Sequence, residues 1–261
     1  YGVVVEFVPV GSAPERDQIV ASGQVHAMMN EILSVIFLNQ EKVQVQAVRF
    51  ARAATPEQGI FKILAAKDSG ITSSADLKGV PVAVGQGTVI EYLTDRILQG
   101  EGLKKDEIQV VAVPKIPDRM SLLASGEVKA ATLPEPFVTL AVQQGATILL
   151  DDAKYHEYSH SVLTFRKDFI DEYPDAVKDF LAAVEEAVLL INADPQKYAS
   201  LMVDKQLVPA PLAENFKVPT YPLKGVPSQA QFEDALNWAI EKGYAAKVLP
   251  YEDCVTSAFL P

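Results

Sequence analysis

Residues 21–27 read ASGQVHA, and residues 124–130 read ASGEVKA. Extending both windows upstream, to Arg16–Ala27 and Arg119–Ala130, gives the same grammar twice. Apolar residues at helical spacing (Ile19 and Val20; Leu122 and Leu123) lead to Ala-Ser-Gly, and a short apolar run follows. Gly23 and Gly126 stand where a helix ends in a left-handed residue, a conformation glycine adopts without a Cβ clash. Each copy is therefore expected to be a helix–Gly–strand unit. The first strand is expected over 25–29, followed by Asn30 and Glu31, and the second over 128–133, followed by Pro134, Glu135 and Pro136. In an open α/β sheet, ligands bind beyond the carboxyl ends of the strands. Two such units in two domains would place Glu31 and Glu135 on opposite walls of one cleft, where ligand pockets prefer to form.

Around these units the chain alternates strand and helix signals. Apolar or alternating runs at 43–48, 60–65, 80–84, 108–113, 146–150 and 161–165 read as strands. Residues 32–39 read as an apolar helix; a long helix follows Pro174 and stops at Asp194-Pro195, and a last amphipathic helix over 231–242 stops at Gly243. The opening run, Val3 to Val8, reads as a strand with no charged and apolar leader ahead of it, which implies that something upstream has been removed. Crossings between domains are expected near Gly79 and again near 159–160, giving a first domain of 1–79 plus 160–261 and a second of 80–159.

Composition excludes several classes. The chain has 261 residues and a formal net charge of −11, which opposes binding to a phosphate backbone. Its apolar stretches are interrupted by acidic residues well short of a membrane span. The single cysteine, Cys254, rules out an intrachain disulfide and a multi-cysteine metal site, and is expected to be a small semi-buried residue. Trp238 is expected in the core. His156-Glu157-Tyr158-Ser159-His160 matches H-E-x-x-H, in which two histidines one helical turn apart bind zinc. Here it lies between two strand signals with no amphipathic face to bury, so no metal site is expected. No cofactor motif or nucleophile elbow is present either.

The most chemical loop is Gly85-Gln86-Gly87-Thr88, directly after a strand and before the helical 89–93. Glycines admit a ligand close to the backbone, and N–H groups at a helix start are donors for a carbonyl or an anion. The third glycine of a dinucleotide fingerprint is missing, with Ile90 in its place, and no Gly-Lys-Thr/Ser follows.

Taken in order, ASGQVHAMMNEILSVIFLN (21–39), ATPEQGIFKILAAKDSGI (54–71), DLKGVPVAVGQGT (76–88), LASGEVKAATLPEPFVTLAVQQGA (123–146) and PYEDCVTSAFLP (250–261) resemble the substrate-binding proteins of bacterial ABC transporters. The subgroup is the one that includes nitrate, taurine and alkanesulfonate binders and thiamine-pyrimidine and riboflavin binders. The resemblance covers nearly the whole chain. It implies a two-lobed α/β clamshell of the periplasmic-binding-protein type II class, each lobe a mostly parallel sheet flanked by helices, with two interdomain crossings. It also implies an extracytoplasmic, monomeric solute binder, lipid-anchored or periplasmic, whose partners are a small-molecule ligand and a membrane permease, with no cofactor, no metal and no catalysis. Such proteins usually begin with a strand and helix ahead of the piece matching YGVVVEFVPV, so an interior strand of the first sheet is expected to be missing and the chain alone to be poorly stable.

Carried over residue by residue, the ligand positions are Asn30, Glu31, Gln86, Gly87, Thr88 and Glu135, with Phe50, Tyr92, Phe137 and Tyr221 as rings available to stack on a ligand. Two carboxylates and no cation at these positions favour a nitrogen heterocycle, a thiamine pyrimidine precursor or a flavin-like ring, over an anion. Arg49, Arg52 and Lys115 lie nearby in sequence. The alternatives are a binder of nitrate, sulfonate or aromatic carboxylate, an enzyme on the same scaffold in vitamin or sulfur metabolism using Glu135, Glu31 or His26, and a sensing domain of a larger signalling protein.

Overall fold

Both copies of the repeated stretch fold as helix, glycine and strand. The computed structural model describes residues 1–205, 207, 208, 212 and 217–261. Its strands are β1 (Ala27–Asn30), β2 (Val45–Ala53), β3 (Phe61–Ala65), β4 (Pro81–Val84), β5 (Gln109–Ala112), β6 (Ala130–Pro134), β7 (Thr147–Asp151) and β8 (His160–Arg166). The helices are α1 (Ala13–Ala21), α2 (Ile32–Leu38), α3 (Val89–Gly100), α4 (Ile116–Ser125), α5 (Phe137–Gln143), α6 (Lys167–Glu172), α7 (Pro174–Ala193), α8 (Ala199–Asp204), α9 (Gln229–Glu241) and α10 (Tyr251–Cys254). Gly23 and Gly126 have φ of 79° and 77°. After α1 the N–H of Gln24 bonds back to the carbonyl of Ile19, and after α4 that of Val128 bonds to Leu122, so each glycine closes its helix and aims the chain into β1 or β6.

The chain divides into two units, 1–53 with 160–198 and 218–261, and 54–159 with 199–217. The return boundary lies between Ser159 and His160, and 199–217 fall with the second unit instead of with 160–261. The first boundary lies after Ala53 rather than near Gly79, because β3 pairs with β6 and β7 and so belongs with the second sheet. The first unit holds a three-stranded sheet of order β1-β8-β2, both pairs antiparallel. The second holds a five-stranded sheet of order β5-β4-β6-β3-β7, in which β4 runs parallel to β5 and β6 while β3 is antiparallel to its neighbours. The α/β class is as expected, but the first sheet is antiparallel and the second mixed, rather than each being mostly parallel. The antiparallel strands β3 and β8 are those that the chain enters on arriving from the other unit, not by a helical crossover within one sheet.

In the first unit Val48, Phe165, Ile170, Val177 and Leu181 form a core between the sheet and α6–α7. In the second, Leu64, Ala83, Leu123, Ala131, Leu133 and Val138 pack α4 and α5 on the sheet. Each such large apolar side chain contributes about 1.5–3 kcal/mol on burial. Trp238 is buried, as expected, and Cys254 is fully buried rather than semi-buried. The opening run is not a strand: Val3–Val8 make no ladder, and Val4 and Phe7 are 99 % and 78 % exposed. A β-branched run needs a partner strand to satisfy its backbone, and none of the described strands pairs with it. Among the described residues no helix is long and apolar enough to cross a membrane.

Candidate functional site

In the first unit Asn30 ends β1 opposite Val162, and Phe50 on β2 faces the same Val162 from the other side. Alternation along β8 puts His160, Val162 and Thr164 on one face. Asn30 and His160 are therefore diagonal neighbours, and the Phe50 ring meets the His160 ring edge-on at 5.4 Å. Thr164 donates to Asn30 Oδ1 at 2.6 Å. The amide nitrogen of Asn30 and both ring nitrogens of His160 are buried without a hydrogen-bond partner among the described residues. Burial pulls the His160 imidazole down to about 4, so it is neutral at pH 7. The segment from Tyr221 to Gly225 runs beside β2: the Phe50 N–H donates to the Gly225 carbonyl at 2.7 Å, and Arg49 donates to the Pro222 carbonyl at 2.9 Å. Asn192 holds both backbone groups of Tyr221, whose hydroxyl burial pushes up. Asn30, Phe50 and Tyr221 thus belong to one end of the first sheet, together with His160, which sequence reasoning passed over as part of a dismissed zinc motif.

Glu31 differs from expectation. Its carboxylate receives two bonds from Arg16, at 3.0 and 3.1 Å, and both side chains are largely buried. Arg16 opens the first repeat window, and Arg119 opens the second at the same register.

In the second unit the Gly85–Thr88 turn joins β4 to α3. Thr88 caps the helix, accepting from the Ile90 N–H at 3.2 Å while donating to the Gly85 carbonyl at 2.6 Å. The Gly87 N–H, expected to face a ligand, donates to Glu91 at 2.7 Å, so one donor of the turn is used by the chain itself. Beneath the turn lies Arg119, fully buried, its guanidinium donating to the carbonyls of Val113 and Thr132. A Cβ on Gly85 would sit 3.2 Å from the Arg119 guanidinium. Among the described residues no carboxylate pairs with Arg119, and burial alone pulls its guanidinium down to about 10. At the position corresponding to Glu31 the second copy has Pro134.

Glu135 is likewise occupied. It accepts from the N–H and hydroxyl of Thr139 at 3.2 and 2.7 Å, and Lys62 stands 3.8 Å away. Two rings expected to be platforms are packing elements. Tyr92 is buried edge-on against Tyr158, and Phe137 packs on the core under α5. Gln86 is exposed at the turn. Among the candidate bases for catalysis, Glu31 and Glu135 are paired as above, and His26 lies 4.7 Å from the Phe169 ring. The thiol of Cys254 is pushed up to about 11 by burial, far from nucleophilic. His156 sits on the 3-10 turn Asp152–Tyr158 while His160 begins a strand, so they do not share a helical turn. Among the described residues no cluster of metal-ligating side chains forms. Arg49 is bonded to Glu185 at 2.7 Å.

Residues 1–198 match the family model described as NMT1/THI5 like. Over 154 residues the chain is 27 % identical to the putative aliphatic sulfonates-binding protein of Escherichia coli, an alignment covering 59 % of this chain and 48 % of that one. The chain thus spans about half the length of this curated relative. Its structure is similar to that of the periplasmic aliphatic sulphonate binding protein SsuA from Escherichia coli, with a TM-score of 0.76 at 21 % identity over 94 % of this chain and 80 % of that one. It is also similar to the alkanesulfonate-binding protein SsuA from Xanthomonas axonopodis bound to MOPS, with a TM-score of 0.80 at 16 % identity over 95 % and 86 %.

Proposed function

From the chain's membership of the NMT1/THI5-like family, we propose that it is the solute-binding component of an ABC importer and that its ligand is an organic oxyanion of the sulfonate class. The expectation of a nitrogen heterocycle rested on two unneutralised carboxylates, and Glu31 and Glu135 each have a cationic neighbour. The observation that carries the oxyanion reading is Arg119. A buried guanidinium held only by carbonyls leaves a positive charge without a counterion, next to a glycine turn and a helix start whose dipole has the same sign. The names of the similar binding proteins point the same way. Binding without catalysis fits the candidate groups, since Glu31 and Glu135 each have a cationic neighbour and the thiol of Cys254 is protonated. The ligand would act by binding one conformation more tightly than another, and a membrane permease would read that conformation on the extracytoplasmic side.

Thermal shift with ethanesulfonate, butanesulfonate, taurine, MOPS and nitrate against thiamine pyrimidines and riboflavin tests the reading. At about a thousand times its dissociation constant a ligand stabilises by roughly 4 kcal/mol, which raises the midpoint of a chain this size by on the order of 10 °C. Sulfonates are expected to give this shift, and Arg119→Met to weaken it by at least about tenfold in affinity while circular dichroism stays native. A shift with heterocycles alone overturns the oxyanion reading.

A further inference from the structure

A cavity of about 330 Å³ lies wholly within the first unit. The chain leaves this unit after Ala53 and returns at His160, whereas the cavity is lined by Val45 and Arg166, the opposite ends of β2 and β8. Its size is at the lower end of the roughly 300–1,000 Å³ of small-molecule sites. Val20, Leu38, Val43 and Val45 supply apolar wall, and Lys42, Asp168 and Asp171 stand exposed at its rim, so it opens to solvent. The walls are tied together. Asn39 Oδ1 accepts from the N–H groups of Gln44 and Val45 at 2.9 and 3.1 Å, the Gln44 side chain donates to the Leu38 carbonyl, and the Lys167 N–H donates to the Gln44 carbonyl at 2.7 Å. The end of α2, the start of β2 and the end of β8 are thereby fixed around the cavity, which is preformed.

Five charged side chains line it, and their pairing leaves a surplus of one sign. Arg166 donates to Asp168 through Nε and Nη2, and Lys167 to Asp171, so both acids are neutralised. Left over are the Lys42 ammonium and Arg166 Nη1, neither of which bonds to anything among the described residues. Arg166 is also held in place. Its N–H donates to the His26 carbonyl at 2.9 Å, and a Cβ on Gly23 would lie 2.8 Å from Nη1, so the glycine that ends α1 leaves the room the guanidinium occupies.

We propose that this cavity is a second binding site, for a single-chain anionic amphiphile of the medium-chain alkyl carboxylate class, with its head group on Lys42 and Arg166 and its chain against Val20, Leu38, Val43 and Val45. The ammonium and the free guanidinium N–H groups match the two oxygens of a carboxylate. A cationic head group would have to break the pairs that hold Asp168 and Asp171, and a dianionic one would set a second negative charge beside them. The site shares no residue with the turn above Arg119 and holds whether or not that turn takes an oxyanion.

The test is calorimetric titration of the wild-type chain and Lys42→Ala with butanoate, hexanoate and octanoate, with octanol and octylammonium as controls. Each added methylene is expected to tighten binding about fourfold until the chain fills the cavity. Octanol and octylammonium are expected to bind at least about tenfold more weakly than octanoate. Lys42→Ala is expected to weaken octanoate by about tenfold, the loss of one charge-assisted bond, with the thermal midpoint of the free protein unchanged because Lys42 is exposed and pairs with nothing. Backbone amide shifts in the wild type give a reading independent of any variant: octanoate is expected to move signals at 20–21, 38, 42–45 and 166–168 and to leave Gly85–Thr88 still. Affinity indifferent to chain length, octylammonium binding as tightly as octanoate, or no response to octanoate overturns the second site. Shifts gathered at Gly85–Thr88 overturn it too, by placing the carboxylate at the turn above Arg119. Failure of every sulfonate to shift the thermal midpoint, with octanoate still moving the cavity signals, overturns the oxyanion reading and leaves this site standing.

Discussion

Two buried groups that flank the strand entry at residue 160 titrate in opposite senses. Asp152 is buried and accepts from the Ile60 N–H at 2.8 Å and from the Ser159 hydroxyl, yet loss of hydration still pushes it up to about 6 from an ordinary 3.8. Its folded value exceeds its unfolded one, so its contribution is fully present below pH 4 and is lost as pH rises towards 6. His160 is held at about 4 against an ordinary 6.5. Its contribution is present above pH 6.5 and is lost as pH falls towards 4. Each amounts to about 3 kcal/mol, so in the wild type they offset across pH 4–6.5. Urea unfolding over this range is expected to show a nearly level profile for the wild type. Asp152→Asn should uncover the histidine's profile, with stability climbing with pH, and His160→Phe the aspartate's, with stability falling. Parallel profiles for all three proteins would contradict these assignments.

Among elements, turns separate glycines that are preferred from one that is required. At Gly126 the left-handed backbone disfavours any other residue, but a Cβ there meets nothing within 4 Å. Gly126→Ala is expected to lose about 1–2 kcal/mol, with α4 still ending where it does. At Gly59 an added Cβ would lie 1.8 Å from Asp151 and 2.5 Å from Asp152. Gly59→Ala must displace the Asp151 carboxylate from the Ala153 N–H and the Asp152 carboxylate from the buried bond it accepts from the Ile60 N–H. It is expected to destabilise by over about 3 kcal/mol, and a thermal midpoint no lower than that of Gly126→Ala would show that the turn can relax. The repeated helix–Gly–strand element was legible because its caps are local chemistry. The fate of its arginines was not, since Arg16 finds Glu31 while Arg119 finds only carbonyls, a difference set by what packs around each copy.

At the scale of the whole chain, each unit has its own sheet and its own core, and residues 1–10 belong to neither sheet. Phe7, 78 % exposed in a segment without ladder bonds, is expected to be the first site cut by chymotrypsin, leaving the remainder resistant; first cleavage elsewhere would mean that this segment is covered in solution. The expected α/β class and the resemblance to transporter solute-binding proteins carried through, because alternating strand and helix signals, glycine stops and segment order are properties of the chain itself. The first crossing did not. Nothing local at 54–79 distinguishes a strand of one sheet from a strand of the other, and only the pairing of β3 with β6 and β7 assigns it.

By itself the sequence determined the repeat and most of the elements, since these depend on propensity, caps and hydrophobic period within a few residues of chain; the opening run Val3–Val8 is the exception, because a strand also needs a partner. Tertiary structure alone decided the charge state of the candidate site. Whether a carboxylate is free or neutralised depends on cations distant in sequence: Arg16 lies fifteen residues from Glu31, and Lys62 reaches Glu135 from another strand. The same holds for the rings, where Tyr92 and Phe137 went to the core and Phe50 stayed beside the unpartnered nitrogens of His160. Electrostatic and desolvation energies are sums over neighbours in space, and the chain order does not contain them.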